Sequence, residues 1–326
     1  MQLSVAQKNR LKGLACLAIL TALTFSMALY FGFAYGLLIQ IGMTVISEAP
    51  VLMIQPYLFY IRGIMTIQKK GPEAIQTVEG FDLHEIVEDL AKKLNISPDS
   101  IKQIGIIPTN DLQAFTTGSS LLSFLGLGSH GIAISSGLLK SANAYAQNHA
   151  ASQKPALSSS ETKKMARDMV ASIIAHELGH ITHNDSTSAV ITHTIKKYFN
   201  VMAAIIIADA LAITRIPRYI GIAIGLLSEG LVKTYERTEE IRADETAFNL
   251  GHGKSLCFAF DMFIESKKID IKYANGTSKK HDTAHDYNNI LFDFFRLFSS
   301  HPKLEDRIAH IQALEEEGKT SKSLPL

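Results

Sequence analysis

His176-Glu177-Leu178-Gly179-His180 sets two imidazoles four residues apart, with a carboxylate directly after the first. On a helix, residues i and i+4 share a face, so both rings can reach one Zn²⁺ while Glu177 addresses a water at the same ion. That chemistry needs a helix here, and the preceding residues supply one. Ser158-x-x-Glu161 has the form of a capping box, and Met165, Met169, Val170, Ile173 and Ile174 follow at helical spacing. Gly179 lowers helix propensity and leaves room for close approach. The competing reading is a polar helix face with satisfied histidines, so the surrounding sequence has to decide.

A catalytic zinc site usually has three protein ligands and one position kept for water. The metzincin pattern would put a Gly three residues and a His six residues after His180, but those places hold His183 and Ser186, which excludes that class. The alternative third ligand is a carboxylate on another helix. Glu236 to Asp244 is an acidic segment running into Ala247, Phe248 and Leu250, with Gly251 as its stop. Glu240 and Asp244 share a face at i and i+4, so Glu240 can bind the metal while Asp244 accepts a hydrogen bond from a ligating imidazole. The competing reading is a solvated charge run with i, i+4 pairs.

Three blocks then stand in order: His176-Glu-Leu-Gly-His180, Arg237-x-x-Glu240-x-x-Ala243-Asp244, and His301-Pro302-x4-Arg307-Ile308. Together they resemble the HtpX family of membrane zinc metalloproteases, relatives of the CAAX prenyl proteases. Asp111 to Gly118, Ile134 to Leu139, and His180-Ile181-x-x-x-Asp185 resemble that family as well. The resemblance implies one Zn²⁺ per chain on His176, His180 and Glu240, with Glu177 as general base. It also implies that His301 or Arg307 stabilises the oxyanion and that Gln113, Ala114 and Phe115 contact substrate. The bland alternatives are a helix-start His-Pro and a salt-bridged Arg307. Gln113 departs from the family's usual Asn. His183 also stands where Asn is usual, and reads either as an accessory metal contact or as a surface histidine.

The net charge of +1 argues against a nucleic-acid binder. Cys16 and Cys257 offer neither a disulfide framework nor a cysteine zinc site. Residues 13 to 47 carry no charge, and 49 to 61 are again apolar. A bilayer core takes ~20 helical residues, so this region reads as a helical hairpin rather than one span. Lys8, Arg10 and Lys12 precede it and Arg62, Lys69 and Lys70 follow, which puts both ends and the following domain in the cytoplasm.

Beyond Gly71-Pro72, Asp82-x-x-Glu85 caps a helix with an apolar stripe of Leu83, Ile86, Val87, Leu90, Ala91 and Leu94. Gln103–Ile107, Leu112–Thr117 and Gly131–Ser135 read as short strands, one of them an edge beside the cleft. Ser141 to Ser160 lacks an apolar stripe and reads as a mobile loop or lid. Tyr198–Thr214 and Tyr219–Leu231 are apolar, and read either as a second membrane hairpin over about 198–232, which the family implies, or as a buried soluble one.

The expected fold is α+β and mainly helical: a membrane hairpin over 1–65, then a gluzincin-type metalloprotease domain with a small sheet over 66–326. The expected function is a multi-pass endopeptidase of a bacterial-type inner membrane. It would face the cytoplasm and cut unfolded or membrane proteins in quality control. Two rivals remain: a non-catalytic membrane interaction protein with a structural metal, and a prenyl-peptide processing protease. The intact Glu177 disfavours the first, and the apolar segments are too few for the multi-span chamber of the second.

Overall fold

The computed structural model describes residues 64–67, 79–97, 100–118, 130–185, 216–274 and 302–322, with Ile19, Gly42, Thr192 and Lys196 as single positions. Among them β1 is Met65–Thr66, α1 Leu83–Lys93, β2 Ile101–Ile107, β3 Ala114–Gly118 and β4 His130–Ser135. The helices continue as α2 Ser136–Ser152, α3 Ser159–Thr182, α4 Ile216–Ala247, α5 Gly253–Ala274 and α6 Leu304–Lys322. The membrane hairpin expected over 1–65 and the segment Tyr198–Thr214 lie outside the described residues, as does His301. Among the described residues no helix is long and apolar enough to cross a membrane.

The chain divides into two compact units. One comprises Met1–Met53, Thr187–Glu240 and Lys280–Pro302. In it the first part of α4 buries Ser228 and Val232 and carries a Lys233–Glu236 ion pair of 2.8 Å, while Leu226 and Leu227 are exposed. The other comprises Ile54–Ser186, Ile241–Lys279 and Lys303–Leu326, and contains the sheet and the main core.

The sheet has the order β1-β2-β4-β3, with β2 and β4 parallel and β1 and β3 antiparallel to their neighbours. Strand residues alternate between faces. Ile104, Ile106, Ile132 and Ile134 join the main core, while Ile107 and Ala133 form a separate small cluster with Ile64 and Phe115. β3 is an edge, and α3 lies against it.

Asp82 caps α1, its side chain accepting from the Glu85 amide, and Leu83, Ile86, Val87, Leu90 and Ala91 are buried. Removing each such large side chain from water contributes about 2 kcal/mol. Ser158 and Glu161 form the capping box of α3. The thirteen residues of α3 that are buried include Met169, Ile174 and Leu178, so this helix runs through the core between α1, α2 and α5.

Ser141–Ser160 is not a loop: its first part belongs to α2. Ala142, Ala146 and Ala150, spaced i, i+4, i+8, are buried where α2 packs on α3. Small side chains give no large apolar stripe, yet they let two helices meet closely. The α2 N-cap is Ser135, which is fully buried. Its hydroxyl accepts from the Leu138 and Gln113 amides, both at 3.1 Å, and donates to the Asp111 carbonyl at 2.5 Å. Ser135→Ala leaves those backbone groups without their partner, and should cost about 2 kcal/mol in chemical denaturation. A loss under about 0.5 kcal/mol would show that the 111–113 segment does not depend on this hydroxyl.

Tyr219–Leu231 lies within a longer helix. It is continuous with the acidic segment in α4, about 48 Å long at 1.5 Å per residue. The helix breaks where Gly251 stands, at φ 86°, inside the π-type segment Phe248–His252, and α5 starts at once.

Candidate metal centre

The second half of α3 delivers His176 and His180 one turn apart, with ring centroids 4.7 Å from each other. Their Nε2 atoms are 3.2 Å apart. Each Nδ1 faces a carboxylate: His176 meets Asp244 Oδ1 at 2.8 Å, and His180 meets Asp185 Oδ2 at 2.8 Å. A carboxylate accepts, so both Nδ1 atoms carry the proton and both Nε2 atoms present lone pairs to one point. Two lone pairs that close repel unless a cation lies between them.

Glu240 completes the group, its carboxylate and the two imidazoles offering ligand atoms within 4.8 Å of one another. Two nitrogens bound tetrahedrally at ~2.0–2.1 Å from one Zn²⁺ stand about 3.3 Å apart, which the observed imidazole pair matches. The residues therefore fit a two-nitrogen, one-carboxylate zinc site. Glu177 is 8% exposed, and among the described residues it makes no hydrogen bond or ion pair. Its oxygens are not committed to a structural partner.

Asp244 is fully buried on α4, one turn from Glu240, as the i, i+4 spacing requires. Arg307 on α6 donates to it from Nε at 2.7 Å and from Nη2 at 2.6 Å, and its guanidinium lies over the Phe260 ring at 4.3 Å. Burial presses the Asp244 pKa upward and is its largest single influence, but Arg307 and His176 together outweigh it and hold the carboxyl below its usual range. The salt-bridged reading of Arg307 is thus what the geometry displays. The guanidinium sits at the Nδ1 side of His176, 3.3 Å from that atom, rather than being aimed at the Nε2 pair.

The His180 arrangement repeats this chemistry. Asp185 is buried, and its other oxygen receives Nη2 of Arg242. Each histidine of the pair therefore has an aspartate behind it and an arginine behind that. Neither Asp185 nor Arg242 was assigned a role from sequence. Asp185 lies five residues past His180, beyond the end of α3, and reaches back because Asn184 takes φ 57°. The only sequence signal was the His180-x4-Asp185 spacing.

His183 is neither a metal contact nor a free surface histidine: it ends α3, and its Nε2 is 2.9 Å from Thr246 Oγ1. Of the expected substrate contacts, Gln113 is exposed just before β3, and its carbonyl accepts from the Ser135 amide at 2.9 Å. Ala114 opens β3 and packs on the main core, but Phe115 faces the small cluster on the opposite side of the sheet.

Gly179 marks where α3 and α4 touch. A Cβ there would lie 3.0 Å from Ala243 Cα and 3.2 Å from its carbonyl oxygen. Backbone cannot yield as a side-chain tip can, so Gly179→Ala should destabilise by about 1–3 kcal/mol and lower zinc occupancy by separating the two helices. Unchanged denaturation and zinc content would show that the helices have slack there.

The model of Peptidase family M48 matches residues 79–315, which contain every described residue of this centre. Protease HtpX of Shewanella halifaxensis is 23% identical over 270 residues, covering 76% of this chain and 80% of the relative. Protease HtpX of Hahella chejuensis is 25% identical over 246 residues, covering 71% of each. The crystal structure of S. mikatae Ste24p aligns with 93% of this chain and 65% of its own at a TM-score of 0.49 and 17% identity. The match of the family model over most of the sequence places the chain in peptidase family M48, the HtpX-like metalloproteases.

Proposed function

We propose that this protein is a membrane-bound zinc endopeptidase that cuts unfolded or membrane proteins at the cytoplasmic face of a bacterial-type inner membrane. The observation that carries the catalytic part is the His176–His180 Nε2 pair at 3.2 Å with Glu240 beside it. His176, His180 and Glu240 would hold one Zn²⁺, which when bound polarises the scissile carbonyl and acidifies the attacking water. Glu177 takes that water's proton and passes it to the leaving amine. Asp244 and Asp185 keep both Nδ1–H groups engaged, so that the Nε2 lone pairs stay directed at one position. β3 ends the sheet among the described residues, and an extended peptide would lie along it as a further strand beside the helix that carries His176 and His180. His301 remains assigned to the oxyanion by family resemblance.

The membrane part rests on the uncharged 13–47 region, the basic residues flanking the 1–65 hairpin, and the HtpX relatives. A second hairpin over 198–232 also stays part of this reading through the HtpX relatives, with Arg215 and Arg218 lying between its two apolar runs.

The test uses the purified full chain with a denatured membrane protein as substrate. Cleavage should vanish with a zinc chelator and return with added Zn²⁺, and metal analysis should give one zinc per chain. Glu240→Ala should lower that occupancy sharply. Full occupancy in the variant would transfer the ligand role to another carboxylate, and chelator-resistant cleavage would overturn the mechanism. A reporter fused after Arg62 should locate to the cytoplasm.

A further inference from the structure

A cleft of about 670 Å³ lies remote from the metal centre, between α2, the first half of α3 and the turn before α1. Ligand pockets are typically ~300–1,000 Å³, so the space suits a small molecule or a headgroup. Lys164, on its wall, precedes His176 by twelve residues, ~18 Å along α3. The metalloprotease chemistry makes no use of it.

Its charge is lopsided. Lys140 projects from α2 and Lys163, Lys164 and Arg167 from α3, against Glu79 alone among the lining residues. Arg167 has a carboxylate, Glu85, at 3.2 Å. Lys140, Lys163 and Lys164 have no ion pair or side-chain hydrogen bond among the described residues. The whole chain carries only +1, so this concentration is not a general basicity. Like charges on facing helices repel, and an anion between them would relieve that.

The wall is also held in place. Asn143 on α2 donates to the Glu79 carbonyl at 3.0 Å, and Glu79 and Gly80 both take positive φ, 52° and 85°, as the chain turns into the buried Phe81. The cavity thus has a fixed end rather than two helices free to close.

We propose that this cleft binds a phosphate-bearing anion, with Lys140, Lys163 and Lys164 as its charge partners. Ammonium groups on flexible stems serve phosphate as point charges, and three of them match a group carrying more than one negative charge. The ligand is either a phospholipid headgroup or a soluble phosphate ester.

The experiment places the full chain in phosphatidylcholine nanodiscs and titrates inorganic pyrophosphate by calorimetry. Wild type should bind, more weakly as salt rises, and Lys140→Gln/Lys163→Gln/Lys164→Gln should bind at least tenfold more weakly at equal melting temperature and zinc content. Repeating the wild-type titration in phosphatidylglycerol nanodiscs identifies the source: weaker pyrophosphate binding there means the lipid headgroup competes for the cleft, and unchanged binding means a soluble ester. No binding by wild type in phosphatidylcholine, or equal binding by the triple variant, overturns the proposal. Neither readout involves proteolysis, so this outcome is independent of the fate of the protease assignment.

Discussion

Glu177→Gln is expected to abolish measurable cleavage while leaving zinc stoichiometry and fold intact. Gln keeps the size and shape of Glu but cannot accept a proton, and general-base catalysis is worth about 10²- to 10⁴-fold. That is roughly 3–5 kcal/mol of barrier, concentrated in one proton transfer. Because Glu177 is buried with no hydrogen-bond or ion-pair partner among the described residues, its neutral replacement breaks no structural contact seen there. The loss should therefore fall on kcat, with substrate KM and melting temperature nearly unchanged. A variant that still turns over at the wild-type rate would move the base elsewhere and end the assignment of Glu177.

The second large effect concerns Arg307. Replacing it with Met keeps much of the contact with Phe260 but leaves the Asp244 carboxylate fully buried against the His176 Nδ1. Removing one member of a buried ion pair typically costs about 3–5 kcal/mol. Burial then dominates the Asp244 pKa, drawing the carboxyl toward its neutral form and weakening its hold on the His176 Nδ1–H. Zinc affinity should fall about 10- to 100-fold, as for other losses behind a metal ligand. Denaturation and chelator competition measure the two effects separately. Adding Asp244→Asn to Arg307→Met should recover part of the stability and none of the affinity, because an amide does not restore the carboxylate behind the ring. A single variant within about 0.5 kcal/mol of wild type would show that the pair holds nothing.

The parts legible in the sequence are those with local causes. The capping boxes and the apolar spacing that follows them placed α1 and α3, and alternating β-branched runs placed the three longer strands within a few residues. Glu240 and Asp244 were legible because the i, i+4 rule acts within one helix. The parts that escaped depend on a partner distant in sequence. The part of α2 from residue 141 onward looked like a loop because its buried positions are alanines, whose value appears only when α3 is there to be approached. Asp185 reaches His180 only through the left-handed turn at Asn184, and Arg242 finds Asp185 across 57 residues of chain. Arg307 invited a catalytic reading because a motif records which residue is present, not which carboxylate has already engaged it. The face that Phe115 takes was not legible because β3 alternates, and only the register with β4 tells which of its residues turn toward α3.

α4 carries Glu240 and, one turn later, Asp244, so a single helix holds both the carboxylate of the candidate metal group and the brace for an imidazole of that group on α3. A helix cannot withdraw one without the other. Any displacement of α4 against α3 would weaken carboxylate ligation and imidazole alignment in the same movement, so the centre should assemble and dismantle as an all-or-none unit. Intermediate, half-coordinated forms would be scarce, and a protease wired this way is either competent or inert.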